Sequence, residues 1–426
     1  MADAEPLARA QKIVTERLGL KVLELEPQGR IYNNYTYRLT LDTRDGPQSL
    51  QSNGQYGTTA FPPETKSLIL RIPNLDASLN HESRIEHEIA ALELVRTFGS
   101  PLLRSLIPDV YSWARVDQAD GDGWILYESK DGINIGLDFP RLPYERQKVI
   151  LSQLAYITKA FHELPIPDAI DRYGGLRFSD NGDVASGPAA LPIGDPVETY
   201  EDVYRNLLRR QLELSDSSDL IAGWKSSNLR HRLDEFASEG IDAIFRRTPI
   251  PDKRTFVHGD LSAQNILVDP DTFQITGLLD FEFSQIASPL EEYLYSFHDV
   301  HGLIPGAHTT DEGLLSLRDS LLHGFPSPLP ESPPLPTGPV RFGSKRNIQW
   351  HLAKAWDDEL AKAGVERPAT IPYADEVSRI HWFAQEICPF YFLQSMWLEA
   401  VGEERAQQER SKQHGLLDEY LKGWGY

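Results

Sequence analysis

The chain of 426 residues can bury a sizeable core and is too long for one ordinary compact domain, so two or three structural units are expected. With 40% apolar and 25% charged residues it reads as globular and soluble, and no run of about 18 uninterrupted apolar residues offers a spanning helix. The formal net charge of −21 argues against nucleic acid or an anionic membrane as the main partner, because both need basic patches. A single cysteine, Cys388, rules out an intrachain disulfide and fits a reducing cytoplasm.

The N-terminal MADAEPLARAQKIVTERLGL has early acids and no apolar block, so it is expected to be no secretory signal. Its pattern predicts an amphipathic helix with Ala8, Ile13, Val14 and Leu18 as the apolar positions. Residues 34–41 (NYTYRLTL) alternate, placing Tyr35, Tyr37, Leu39 and Leu41 on one strand face; residues 67–72 (SLILRI) do the same with Leu68, Leu70 and Ile72. Between them, residues 45–65 are rich in Gly, Ser, Pro and Gln and read as a long exposed hairpin loop. Residues 83–98 have helical spacing at Ile85, Ile89, Leu92 and Val95, and strands follow near 110–114 and 123–127.

After Asp131-Gly132 the character changes. Residues 144–164 carry the stripe Ile150, Leu154, Ile157, Phe161 and Leu164 of a long core helix. Beyond Asp280 the chain reads as mostly helical, broken by a proline-rich loop from Gly324 to Gly338 and ending in an aromatic cluster around Phe390, Tyr391, Phe392, Met396 and Trp397. The layout predicts an α+β protein of two lobes: a small strand-rich lobe (1–126), a connector (127–132) and a larger, mainly helical lobe (133–426).

The chemistry concentrates in FVHGDLSAQNILVDPDTFQITGLLDFEFS, residues 256–284. Residues 265–269 and 273–281 read as two strands joined by the turn Asp269-Pro-Asp-Thr. Pairing them returns Asp280 towards Asn265. A carboxylate and an amide oxygen suit Mg²⁺, which keeps waters and phosphate oxygens as its other ligands. Asp260, on the loop before Asn265, is placed to take a proton from an attacking hydroxyl. That is the division of labour phosphoryl transfer requires. The bland alternative is that Asp260 and Asp280 only cap turns, as aspartate often does.

His258-Gly259-Asp260, then Asn265, then Asp280-Phe281-Glu282 resembles the catalytic and metal-binding loops of the aminoglycoside phosphotransferase and choline kinase family, within the protein-kinase-like fold. The resemblance implies a small-molecule kinase using ATP or GTP with Mg²⁺, with Asp260 as base and Asn265 and Asp280 as metal ligands. It implies a strand cation for the phosphates, matched by Arg71 where lysine is commoner, held by a helix carboxylate, matched by Glu88 with Glu86 and Glu82 as rivals. Arg71 could otherwise be a snorkelling residue on an edge strand. The connector GWILYESKDG resembles the family hinge, so that the Glu128 carbonyl and the Lys130 amide would meet the adenine. The nucleotide loop, Gln28 to Asn34, has one glycine and is the weakest match. Residues 154–164 ending in FHEL, and RYGGL from Arg172, resemble packing segments; His162 reads as a core histidine and His258 as a structural one. His298 and His301 lack a third ligand at suitable spacing and read as ordinary helix or cleft residues.

Ser288-Pro-Leu-Glu291 looks like a helix start with a capping box, leaving only residues 281–287 as a connection. That is too short for an activation loop and a peptide platform, so a small hydroxyl acceptor is expected. Glu282, Glu291 and Glu292 could draw a cationic amine or sugar and the aromatics of 382–397 could stack on a hydrophobic one; the bland reading gives Glu291 and Glu292 to capping and solvation and the aromatics to the core. Two other readings remain: a nucleotide-binding pseudokinase serving as a scaffold, favoured by the sparse glycines and Arg71 but opposed by the intact Asp260, Asn265 and Asp280, and metal-dependent hydrolysis, for which no further ligands stand out.

Overall fold

The structure, a computed structural model, describes residues 4–29, 31–50, 54–116, 123–191, 194–335 and 348–426. Arg30 of the expected nucleotide loop, the end of the proline-rich loop and the Met396 side chain lie outside the described residues. The chain forms two compact units. The first comprises Met1–Phe139, Pro143–Pro196 and His258–Ile286; the second comprises Pro140–Leu142, Val197–Val257 and Ala287–Tyr426.

The first unit opens with helix α1 (Ala4–Lys12), which runs into a π turn at Ile13–Arg17. Its buried face is Ala10, Ile13 and Val14, whereas Ala8 points to solvent. At 100° per residue, Ala10 and not Ala8 shares a face with Val14. Strands β1 (Val22–Gln28), β2 (Asn34–Leu41) and β3 (Ser67–Pro73) follow. Tyr37, Leu39 and Leu41 of β2 and Leu68, Leu70 and Ile72 of β3 are buried against α1, as the period of two predicts. Helix α2 (Arg84–Phe98) and helix α3 (Pro101–Leu106) lead to β4 (Val110–Ala114) and β5 (Trp124–Glu128). Among the described residues these strands form one antiparallel sheet in the order β1-β2-β3-β5-β4. Arg71 is therefore on the central strand, not on an edge.

None of the described residues of segment 45–65 is buried, in keeping with its polar composition, yet the segment is tethered. Tyr56 packs on Phe178 at 5.7 Å, Phe61 meets Tyr111 edge-on at 5.3 Å, and the Trp113 indole donates to the Tyr56 carbonyl at 3.0 Å. A few aromatic anchors fasten what sequence composition marks as an exposed loop.

After the connector come β6 (Ile133–Asn134), helix α4 (Tyr144–His162) with Ile150, Leu154, Ile157 and Phe161 buried, and the hairpin β7 (Gly175–Phe178) and β8 (Val184–Gly187). Helix α2 packs against β7 and against the turn at Phe281–Phe283, which explains why it buries Arg84, His87 and Glu88 besides its apolar stripe. The chain then supplies α5 (Tyr200–Ser217), α6 (Leu229–Glu235), α7 (Ile241–Arg247) and β9 (Thr255–Val257) to the second unit. It re-enters the first unit with β10 (Ile266–Val268) and β11 (Ile275–Leu278), which make a small sheet in the order β11-β10-β6. The second hairpin strand ends at Leu278, before the expected 281, because Asp280 adopts a left-handed conformation (φ 63°) that breaks the ladder.

The second unit continues with α8 (Glu292–Tyr295), α9 (Glu312–His323), α10 (Trp350–Ala363), α11 (Ala374–Ile387), α12 (Ser395–Val401) and α13 (Glu403–Trp424). Its core is aromatic: Phe236 stacks on Trp424 at 4.7 Å, and Phe383 meets both edge-on. Ser288 caps a 3₁₀ turn at Pro289–Glu291, but Glu291 closes no capping box. The Glu291 carboxylate is buried and accepts from the Tyr200 and Tyr204 hydroxyls, and Glu292 is buried as well. Glu291 thus neither caps a helix nor faces solvent, and Glu292 is not a solvated residue.

His87, on α2, accepts the Leu176 amide of β7 at Nδ1 (2.9 Å), and burial lowers its pKa to about 4; burial lowers that of His381, on α11, to about 3. A depressed histidine pKa means that the unfolded chain binds the proton more readily. Stability is complete above about pH 6.5 and is lost as the pH falls towards the folded values. For His87 the loss reaches roughly 3 kcal/mol. Urea unfolding of His87→Gln, whose amide accepts the same N–H without titrating, should show a shallower decline between pH 6.5 and 4.5 than the parent; equal declines would contradict the assignment.

Candidate active site

The loop after β9 is shaped by one glycine and one neutral histidine. Gly259 has φ +78°, and any Cβ there would collide with the Phe283 carbonyl, so the chain can turn closely only with glycine. His258 is fully buried. Its Nδ1 accepts the Asp260 amide (3.3 Å) and its Nε2 donates to the Leu279 carbonyl (3.1 Å), which fixes the tautomer. Burial lowers its pKa to about 4 against the pull of Asp280. A ring that is neutral and engaged at both nitrogens positions Asp260; it is not poised to take a proton. Phe281 seals the back of the loop, packing on His258 at 4.8 Å and edge-on to Phe161 of α4 at 6.2 Å.

Asn265 ends a 3₁₀ turn at Ala263–Asn265 and joins three parts of the site. Its Nδ2 donates to the Asp260 carboxylate and to the Asp260 carbonyl, each at 2.8 Å. Both partners are acceptors, so the amide can face them only with its nitrogen. That leaves Oδ1 without a protein donor among the described residues. The Asn265 carbonyl also accepts the Leu279 amide at 2.9 Å, beside Asp280. The register Ile266↔Leu278 makes this closure, as the expected hairpin requires.

Asp280 meets Arg71 at 2.7 Å and keeps about a third of its side chain exposed (32%). Arg71 also reaches Glu88 of α2 at 2.6 Å and Glu282 at 3.2 Å. Burial alone would lower the Arg71 pKa; Asp280, Glu88 and Glu282 outweigh it and hold it well above the ordinary value. Burial pushes the Glu88 carboxyl up, and Arg71 draws it back down. The rival Glu86 is occupied elsewhere, with Arg115 at 2.6 Å and the Phe178 amide.

The sequence offers Glu282 as part of the Asp280-Phe281-Glu282 motif and as a contact for a cationic acceptor. It is instead buried, with Oε1 held by Arg84 and Oε2 by Arg71 and the Asn34 amide at 3.2 Å. Arg84, whose one sequence signal is its place a helical turn before Glu88, joins the cluster as well. Two guanidiniums thus face three carboxyl groups, one of which, Glu88, is pushed up by burial. A partly exposed carboxylate and an amide oxygen without a protein donor form a donor set that suits a hard divalent cation such as Mg²⁺.

The residues of the expected hinge stand apart from this cluster. Across the β3–β5 ladder Arg71 faces Ile125 and Leu68 faces Glu128, so Glu128 lies about 10 Å along the sheet from Arg71. The Glu128 amide bonds the Asp109 carbonyl, and Lys130 Nζ bonds the Ser105 carbonyl at 2.9 Å. At the expected nucleotide loop Ile31 and Tyr32 are exposed, while Asn34 already belongs to β2. In the second unit, His301 accepts the Gln349 amide at 3.1 Å; among the described residues no three His, Cys, Asp or Glu gather as a metal site.

The model of the phosphotransferase enzyme family matches residues 57–308, more than half of the chain. The chain belongs to that family. The phosphotransferase chain is similar to the aminoglycoside 3'-phosphotransferase of Streptomyces fradiae, 25% identical over 194 residues, or 45% of this chain and 56% of that protein. The Streptomyces ribosidificus enzyme of the same name is 22% identical over 161 residues, 38% of this chain and 48% of that protein. The chain thus spans about half the length of the curated relatives it matches. Among solved structures it is similar to aminoglycoside phosphotransferase APH(2'')-Ib bound to ADP (15% identity, 98% and 99% of the chains, TM-score 0.48) and to aminoglycoside 2'-phosphotransferase-IIIa in its GDP complex (16%, 98% and 98%, 0.45). No helix among the described residues is long and apolar enough to cross a membrane.

Removing one partner from a buried ion cluster leaves the others uncompensated, which costs about 3–5 kcal/mol. Arg71→Met should destabilise the first unit by that amount in urea unfolding, and Arg71→Lys by less, because lysine keeps the charge but not the fork. Parent-like stability of Arg71→Met would show that the cluster contributes nothing to folding.

Proposed function

We propose that this phosphotransferase moves the γ-phosphate of ATP or GTP to a hydroxyl of a small molecule, with Asp260 as base. The observation that carries the reading is the double use of Asn265: its Nδ2 fixes the Asp260 carboxylate, its Oδ1 has no donor among the described residues, and its backbone carbonyl holds the amide of Leu279, the residue before Asp280. In this reading Asn265 Oδ1 and Asp280 hold Mg²⁺, which when bound neutralises charge on the β- and γ-phosphates. The lobe 1–126 and hinge 127–132 take the nucleotide, with adenine on the Glu128 carbonyl and Lys130 amide, and residues 133–426 supply the base and the acceptor pocket.

The residues' work is mostly positioning and electrostatics. Arg71, steered by Glu88, turns its fork to the phosphates. Asp260, held from below by Asn265 Nδ2, keeps one oxygen oriented and accepts the proton as the acceptor oxygen attacks. His258, neutral and tautomerically fixed, keeps the Asp260 backbone in place without competing for that proton. The short run 281–287 leaves no room for a peptide platform, which supports a small acceptor. The relatives named for aminoglycosides make amino sugars the first class to screen, and the acidic chain is compatible with them.

Asp260→Ala should bind Mg·ADP as the parent does while turnover falls by about 10²–10⁴-fold. Asp280→Ala should lose the Mg²⁺-dependent part of nucleotide affinity. A coupled assay of ATP consumption over amino sugars and other hydroxylated metabolites, with calorimetry of ADP binding, measures both. Unchanged turnover in Asp260→Ala would remove it as the base; nucleotide binding with no acceptor-dependent turnover across the panel would favour a scaffold.

A further inference from the structure

Glu282 follows the proposed metal ligand Asp280 by two residues, and a second metal or acceptor contact would be the simplest use for it. Its surroundings speak against both. The side chain is 2% exposed, and both oxygens are taken. Arg84 donates to Oε1 through Nε (2.7 Å) and Nη2; Arg71 Nη2 and Asn34 Nδ2 donate to Oε2, each at 3.2 Å. A metal at Glu282 would have to displace a buried guanidinium and leave it unpaired, which is costly.

The partners of Arg84 extend the connection. Its Nη2 also donates to the Asn33 carbonyl at 2.9 Å and to Asn34 Oδ1 at 3.1 Å. Asn34 thus gives its nitrogen to Glu282 and its oxygen to Arg84, a closed ring of three side chains at the point where the β1–β2 loop enters β2. The Asn74 amide and side chain fasten the same turn, through the Asn33 and Tyr32 carbonyls at 2.8 Å.

We infer that Glu282 is a positioning residue that ties the β1–β2 loop, through Arg84 and Asn34, to the phosphate-binding guanidinium of Arg71. The inference rests on the proposed phosphotransfer only for its consequence. When Asp280 turns to Mg²⁺, Arg71 loses one of its three carboxylates. Glu88 and Glu282 then hold it, and because Glu282 is clamped by Arg84, the loop and the guanidinium keep one fixed spacing. The sparse glycines of the loop fit this arrangement, since a loop anchored at its base by side chains depends less on backbone contacts to the phosphates.

The test uses the full chain with Glu282→Gln, and Asn34→Ala as the milder variant at a half-buried position. In nucleotide-free protein, hydrogen exchange at residues 31–34 should quicken at least about tenfold in both variants, while exchange in β10 and β11 stays at the parent rate. The KM for ATP should rise about tenfold in both with kcat changed less, and the Mg²⁺ concentration for half-maximal nucleotide binding should stay within about twofold of the parent. A metal role predicts the opposite pattern for Glu282→Gln: a raised Mg²⁺ requirement, unchanged exchange at 31–34 and a silent Asn34→Ala. That result would overturn the inference. Quickened exchange together with no nucleotide binding by the parent would leave the tie standing and remove the phosphotransfer reading; unchanged exchange in both variants removes the tie whatever the activity.

Discussion

A single buried guanidinium carries the organisation of the first unit. Arg71 sits on the central strand of the antiparallel sheet and meets Glu88 from helix α2, Asp280 from the loop after β11 and Glu282 from the turn beyond it. These carboxylates lie up to 211 residues from it in sequence. Isolated in a low-dielectric interior, any of these charges would be expensive; together each is solvated by the others. The planar five-donor fork of arginine is what allows one cation to serve three carboxylates, which explains why arginine works where lysine is the commoner family residue.

The His258-Gly259-Asp260 loop obeys a second constraint, the exclusion of charge. His258 is held neutral by burial, its tautomer set by one donor and one acceptor on the backbone. A charged ring there would compete with Arg71 for the surrounding carboxylates. Gly259 lets the loop pass close to the Phe283 carbonyl, and Asn265 Nδ2 fixes the Asp260 carboxylate while its Oδ1 has no donor among the described residues. Fixed amide and neutral histidine together hold the Asp260 carboxylate in one orientation, which is what the proposed base role requires.

Much of this was legible in the sequence because it follows from local spacing. The alternation in β2 and β3, the stripe on α4 and the hairpin closing Asn265 on Asp280 depend on period and turn chemistry alone. The family resemblance added Arg71 and Glu88, which the fold brings together. What escaped depends on neighbours distant in sequence. Nothing local marks Arg84 or Asn34 as partners of Glu282, because that ring closes across 198 and 248 residues. Glu291 matched a capping box by position, yet two tyrosines of α5 claim its carboxylate. Segment 45–65 is polar in composition, but Tyr56 and Phe61 hold it to the sheet; a few aromatic contacts outweigh an average.

The account turns on Asp280 changing partners while Glu88 and Glu282 keep Arg71 in place. A crystal structure with Mg²⁺ and a non-hydrolysable ATP analogue tests this most directly. The account predicts Asp280 and Asn265 Oδ1 on the metal, Arg71 turned to a phosphate oxygen, and Arg71 still paired with Glu88 near the present 2.6 Å. A metal bound by Glu282, or Asp280 still paired with Arg71 beside a bound nucleotide, would contradict it.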